Sequence, residues 1–265
     1  MILSERQLLD LFFTVLYNKF DDEVINVTTS GCVQIHVLVM LGSHSPRSSS
    51  DNNAARLKKA LCENPSLVTQ PDDSGRQLIH WAASVGNLPF VQLLLAQVPG
   101  TLNAQDEMGW TPLMIACSAG HTDVCRFLLE HNADVTPENS NRCTALHYAA
   151  SKEHIKVLEL LLAQRDVDVN AQDAYANTPL HRAASQGRIK AVQLLLAVAN
   201  CQLNLADSEG NTALHLACEE RRDDVAVVLL KAGAHLDRLN KDGKSPLDLA
   251  EPKLRAMLSR LSASG

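Results

Sequence analysis

Aromatic side chains are scarce in this 265-residue chain: two Trp, three Tyr and five Phe make up 4% of it. A core with so few rings is built from Leu, Val, Ile and Ala, which suits helices packed closely together. Positive charge is also short, with 24 Lys and Arg against 30 Asp and Glu and a net charge of −6. A duplex nucleic-acid binder needs a basic surplus to displace counterions, so nucleic acid is not an expected partner. No run of about 18 uninterrupted apolar residues occurs, so no membrane span is expected. The strongest apolar stretch, LLDLFFTVLY at 8–17, is broken by Asp10; with Glu5 nearby and no small-residue cleavage site, it does not read as a signal peptide. The seven cysteines at 32, 62, 117, 125, 143, 201 and 218 include no CxxC pair. An odd, dispersed set reads as reduced thiols, and the expected location is cytoplasmic and nuclear.

What the chain does have is repetition. Six phrases recur in register: QLIHWA at 77, TPLMIA at 111, TALHYA at 144, TPLHRA at 178, TALHLA at 212 and SPLDLA at 245. Threonine at the first place can cap a helix, and Pro112, Pro179 and Pro246 at the second place lose no hydrogen bond there. Leucine and alanine then fall three residues apart on one face. A second helix follows each phrase with a leucine-rich inner stripe, as in FVQLLLA from Phe90 and VLELLLA from Val157. Between repeats lies a polar finger such as DEMG at 106 or DSEG at 207, whose last glycine takes positive φ cheaply. Arg142 and Ala176 stand where the other fingers have glycine, so those turns either change shape or carry strain.

The phrase T-P-L-H-x-A at a spacing near 33 is the ankyrin signature. The expected fold is therefore all-α, an ankyrin-repeat solenoid of six to seven helix-turn-helix units with β-turn fingers. Repeats are expected to start near 54, 74, 107, 140, 174, 208 and 241, giving an ankyrin domain over 54–265. ARLKKALCENPSLV at 55–68 reads as the second helix of an incomplete first repeat, and residues 1–53 as a poorly ordered extension that the repeat does not explain. Asp248 in the histidine slot and a last helix from Pro252 fit a terminal repeat whose outer face meets water.

The stretch DSEGNTALHLACEERR at 207–222 gathers a histidine, a cysteine and several carboxylates. His80, His147, His181 and His215 share one motif slot, and stacked helices sit roughly 8–10 Å apart. Equivalent imidazoles cannot converge on one ion, so no metal site is expected, and the ring is assigned to backbone hydrogen bonds between repeats. With no nucleophile–base pair and no phosphate loop, no catalytic residue or cofactor is assigned. Leu216, Cys218 and Glu220 spell L-x-C-x-E, a string by which proteins dock to the retinoblastoma protein as an extended strand. On a helix, Cys218 turns away from the other two.

The run at 207–221, HYAASK at 147–152, the finger Asp173-Ala174-Tyr175 leading to HRAA at 181–184, and IHWA at 79–82 together resemble the gankyrin family, ankyrin-repeat subunits of the proteasome regulatory particle. The resemblance spans roughly residues 55–260 and departs at Arg142, where that family has glycine. It implies a monomeric chaperone of regulatory-particle assembly, holding the C-terminal domain of one ATPase subunit in a concave groove. Retinoblastoma protein and cyclin-dependent kinase 4 are further partners linked to that family. A generic ankyrin adaptor, or a regulator of the cyclin-dependent-kinase and retinoblastoma pathway, is the alternative in the same class. The groove residues singled out are Arg76, Glu107, Trp110, Lys152, Tyr175, Arg182, Glu209, Glu220 and Arg221, because large or charged groups at finger tips and first-helix ends recognise protein partners.

Overall fold

In a computed structural model, Leu61 and residues 65–263 are described. Each motif phrase opens a short first helix and each leucine stripe a second one: α1 Leu78–Ser84 and α2 Leu88–Gln97, α3 Pro112–Ala119 and α4 Thr122–Glu130, α5 Ala145–Ser151 and α6 Ile155–Leu162, α7 Pro179–Ser185 and α8 Ile189–Leu196, α9 Ala213–Glu219 and α10 Asp223–Lys231, α11 Pro246–Leu249 and α12 Pro252–Ala263. No strand is assigned among the described residues. These six hairpins, counted here as repeats one to six, stack first helix on first helix and second on second. The expected extension 1–53 lies outside the described residues. Most of the helix expected over 55–68 does too, and its last part, Pro65–Val68, is a 3-10 turn rather than α-helix.

One continuous core runs through the stack. Leu113, Leu146, Leu180 and Leu214 are buried beside Ala116, Ala149, Ala183 and Ala217, with Leu94, Leu128, Leu161, Leu195 and Leu229 closing it from the second helices. No hairpin could bury its apolar face alone; neighbours supply the other half.

Three ladders of polar contacts fix the register. In the first, every finger is an Asx-led hairpin. The side-chain oxygen of Asp72, Asp106, Asn139, Asp173, Asp207 and Asn240 accepts from the amides two and four residues on. Finger is then joined to finger by one backbone bond, as from the Ser140 amide to the Met108 carbonyl and from the Ser208 amide to the Tyr175 carbonyl, both 2.9 Å. The place before each finger's last residue is left-handed throughout. Arg142 (φ 55°) and Ala176 (φ 58°) keep that geometry, so these turns hold their shape and carry the strain.

The second ladder is made by imidazoles. His147 takes the amide and hydroxyl of Thr144 on Nδ1, at 3.1 and 3.0 Å, and its Nε2–H donates to the Asn177 carbonyl of the next finger at 3.1 Å. His181 does the same between Thr178 and Asn211, and His215 between Thr212 and Lys244. His80 accepts from the Gln77 amide and reaches the Ala104 and Trp110 carbonyls. The partners require the Nε2–H tautomer. The expected threonine caps are thus of two kinds. Thr111, with no ring beside it, accepts from the Met114 amide at 3.2 Å, whereas Thr144, Thr178 and Thr212 turn their hydroxyls to the ring, Thr178 also accepting from the His181 amide at 3.4 Å.

The third ladder closes first-helix C-termini. His121, His154, Arg188 and Arg222, each just before a second helix, donate to the carbonyls of Ser84, Ser118, Ser151 and Ser185 in the preceding repeat, at 2.9–3.2 Å. Those carbonyls have no partner within their own helix. A Cβ at Gly86 or Gly120 would sit 2.5 or 2.7 Å from the incoming imidazole, so both turns need glycine for space as well as for φ. Glu153 takes positive φ in the equivalent turn of repeat three, and its carboxylate accepts from the Lys190 amide at the start of α8.

Candidate protein-binding groove

Fingers and first helices form one face of the stack, and in such a solenoid that face is the concave one. Two rows of side chains line it. The residues that close the fingers are Arg76, Trp110, Cys143, Asn177, Asn211 and Lys244. Those following the imidazole slot are Trp81, Ile115, Tyr148, Arg182, Leu216 and Leu249. Ile115 and Cys143 are buried beneath this face; of the others, the first three repeats present Arg76 and rings, and the later ones amides, charges and two leucines.

Many of the residues singled out from sequence are engaged within the scaffold. Arg76 pairs with buried Asp106 at 3.1 Å and lies 5.4 Å from the Trp81 ring centre. Arg182 donates through Nε and Nη2 to Asp173, at 2.9 and 2.7 Å, and lies 3.1 Å from the Cys143 sulfur. Burial raises the Asp173 carboxyl, but the Arg182 bonds and the finger amides outweigh it and leave its pKa below the usual carboxylate range. Burial also pushes the Cys143 thiol up against the opposing Arg182 charge, and raises Tyr148. Lys152 Nζ donates to the Ser118 carbonyl and hydroxyl, both at 2.8 Å. Trp110 stacks on Tyr148 of the next repeat's first helix at 4.5 Å. Arg221, left-handed at φ 56°, reaches Glu251 at 3.0 Å on an exposed surface.

Glu107, Tyr175, Glu209 and Glu220 stand exposed on the same face. Tyr175 is 67% exposed at the tip of finger four. Met108, 53% exposed, occupies the same tip position in finger two and was not anticipated. Its signal was legible, since a finger tip cannot reach the core, but methionine reads by default as core. Leu216, Cys218 and Glu220 are not presented together: Cys218 is fully buried in α9, its thiol pushed up to about 12 by burial, while Glu220 caps the helix end in solvent. Among the described residues no three His, Cys, Asp or Glu side chains gather as a metal set, and no helix is long and apolar enough to cross a membrane. What this face offers is shape, rings and charge.

The chain is similar over parts of its length to several known proteins. It is 37% identical over 110 residues to an ankyrin repeat-containing protein of Schizosaccharomyces pombe, covering 40% of this chain and 46% of that one. It is 32% identical over 116 residues to the probable 26S proteasome regulatory subunit p28 of Saccharomyces cerevisiae, covering 42% and 51%. It is 40% identical over 77 residues to the 26S proteasome non-ATPase regulatory subunit 10 of Dictyostelium discoideum, covering 29% and 33%. The matched part thus spans about half or less of these relatives. The ankyrin-repeat family model matches in three copies over residues 48–139, 79–173 and 165–240, and together with the stacked hairpins and their fingers this shows that the chain belongs to the ankyrin-repeat family.

Proposed function

We propose that this chain is a protein-binding scaffold acting as a chaperone of proteasome regulatory-particle assembly, holding the C-terminal domain of an ATPase subunit against its fingers and first helices. The similarity to two proteins named as proteasome regulatory subunits carries the reading. Two features of the groove support it. Three ladders make the face a rigid surface, which limits the ordering cost of binding. Glu107 and Met108 on finger two, Tyr175 on finger four and Glu209 on finger five are exposed, the residue types of an anchor-and-register interface. The site of action in this reading is the cytoplasm and nucleus. Docking to a retinoblastoma-type pocket through Leu216, Cys218 and Glu220 is not part of the proposal, because Cys218 leaves the core only if repeat five unfolds.

The test uses the purified full chain against the isolated C-terminal domains of the regulatory-particle ATPases. One domain is expected to bind, and Tyr175→Ala combined with Glu209→Lys weakens it about tenfold or more while the melting temperature holds. If none of the domains binds while other cellular proteins do, the chain is a generic adaptor and the chaperone reading fails.

A further inference from the structure

Repeat two differs from its neighbours in two independent ways. Its imidazole slot holds Met114, fully packed in the core, so α3 has no ring bonded to the following finger. Its hairpin also carries two cysteines, Cys117 on α3 and Cys125 on α4, both fully buried, with their sulfurs 3.5 Å apart. The turn between them passes through Gly120 at φ 81°. A disulfide needs about 2.05 Å between sulfurs and side chains that point at each other. Here the two sulfurs already lie in contact, and bond formation has about 1.5 Å left to close.

We propose that Cys117 and Cys125 form a redox-modification site, oxidised to an intra-hairpin disulfide by a low-molecular-weight disulfide of the glutathione type. The step balances. One cysteine thiolate attacks the reagent's S–S bond, forms a mixed disulfide and releases one reagent thiol. The second cysteine then attacks the protein-side sulfur, the Cys117–Cys125 bond forms, and the second reagent thiol leaves with its proton. The pair loses two electrons and two protons, and the reagent gains them.

Burial, reinforced by the neighbouring thiol, keeps Cys117 protonated at rest, its pKa held well above the ordinary range. Reaction therefore waits on brief opening of the hairpin. Opening is where Met114 matters. At the other junctions an imidazole must leave a finger carbonyl before a first helix moves, and here none must. Cys143 and Cys218 are equally buried but have no second sulfur in contact among the described residues. Closing the short loop between α3 and α4 removes freedom from the unfolded chain, so oxidation locks this repeat.

Trypsin leaves residues 77–126 as one peptide whose only cysteines are this pair. After the full chain is incubated with oxidised glutathione, that peptide is expected to lose the mass of two hydrogens and to regain it with dithiothreitol. Cys143 and Cys218 are expected to remain alkylatable on unfolding. In Cys125→Ala the two-hydrogen loss is expected to vanish. The proposal is overturned if both thiols of the wild-type peptide stay alkylatable while other cysteines react, if they end only as separate glutathione adducts, or if the two-hydrogen loss persists in the variant.

Discussion

The junction between repeats two and three and the junction between repeats three and four bury similar leucines and alanines yet are held differently. At the latter, His147 ties the Thr144 cap of α5 to finger four through a ring that water does not reach. At the former, Met114 fills that volume without a hydrogen bond across the junction, and the link moves to the rim: Trp110 stacks on Tyr148, and Lys152 holds the end of α3. The interior strut is directional and insensitive to salt, because neutral groups in a dry site make it. The rim contacts are half exposed and worth less apiece. In a stack where each repeat touches only its neighbours, such local differences decide where the array opens first.

Acid separates the two kinds of junction most strongly. Burial lowers the pKa of all four struts, and His147 falls to about 4. A ring whose folded pKa lies below its unfolded value of 6.5 contributes stability that is fully present above pH 6.5 and is lost as the pH falls through the window from 6.5 toward 4. At about 1.4 kcal/mol per pKa unit, His147 alone accounts for about 3 kcal/mol. The urea midpoint should therefore fall steeply between pH 6.5 and 4.5. Hydrogen exchange should quicken at the Thr144, Thr178 and Thr212 amides more than at the Met114 amide, which a threonine hydroxyl holds. A midpoint flat across that window would mean the rings are not neutral struts.

The caps and the fingers were legible in the sequence because each rests on neighbours within five residues, and the repeat period because one phrase recurs in register. The role of the histidines was legible too, through the spacing argument that kept them from meeting. What sequence could not give is which charges remain available at the groove. Arg76 finds Asp106 thirty residues on, and Lys152 finds Ser118 thirty-four back. Such partners are set by the register of the stack, which only folding establishes. Arg182 was read as a groove cation, but its finger places Asp173 against it. The departure at Met114 stood in plain view in TPLMIA. Its consequence is a missing link, and a missing link shows only when the other four are seen in place.

Changing one junction into the other is the next largest test. His181→Met gives repeat four the slot of repeat two, but without a stacked ring pair or lysine at the rim. The Thr178 amide and hydroxyl lose their acceptor, and the Asn211 carbonyl loses one donor. Methionine recovers most of the packing, so the cost is that of stranded polar groups, about 2 kcal/mol. For a domain of this size that is a fall in melting temperature of roughly 4–8 °C. A variant melting with the wild type would show that the slot is merely filled, in both junctions alike.

The smallest effect is expected at the fingers that bound the second junction. Arg142 and Ala176 hold left-handed backbone that costs an L-residue roughly 1–2 kcal/mol, part of which glycine gives back through its freer unfolded chain. Ala176→Gly should thus stabilise by about 0.5–1 kcal/mol and raise melting by about 1–4 °C. Arg142→Gly relieves the same strain but also removes the exposed ion pair with Glu138 at 3.3 Å, a contact worth about 0–1 kcal/mol. Its gain should be the smaller of the two. If instead Arg142→Gly destabilises while Ala176→Gly stabilises, the arginine is bound into finger three more firmly than one exposed pair can account for. The junction with the missing imidazole would then own a third rim contact, and the contrast between the two junctions would narrow.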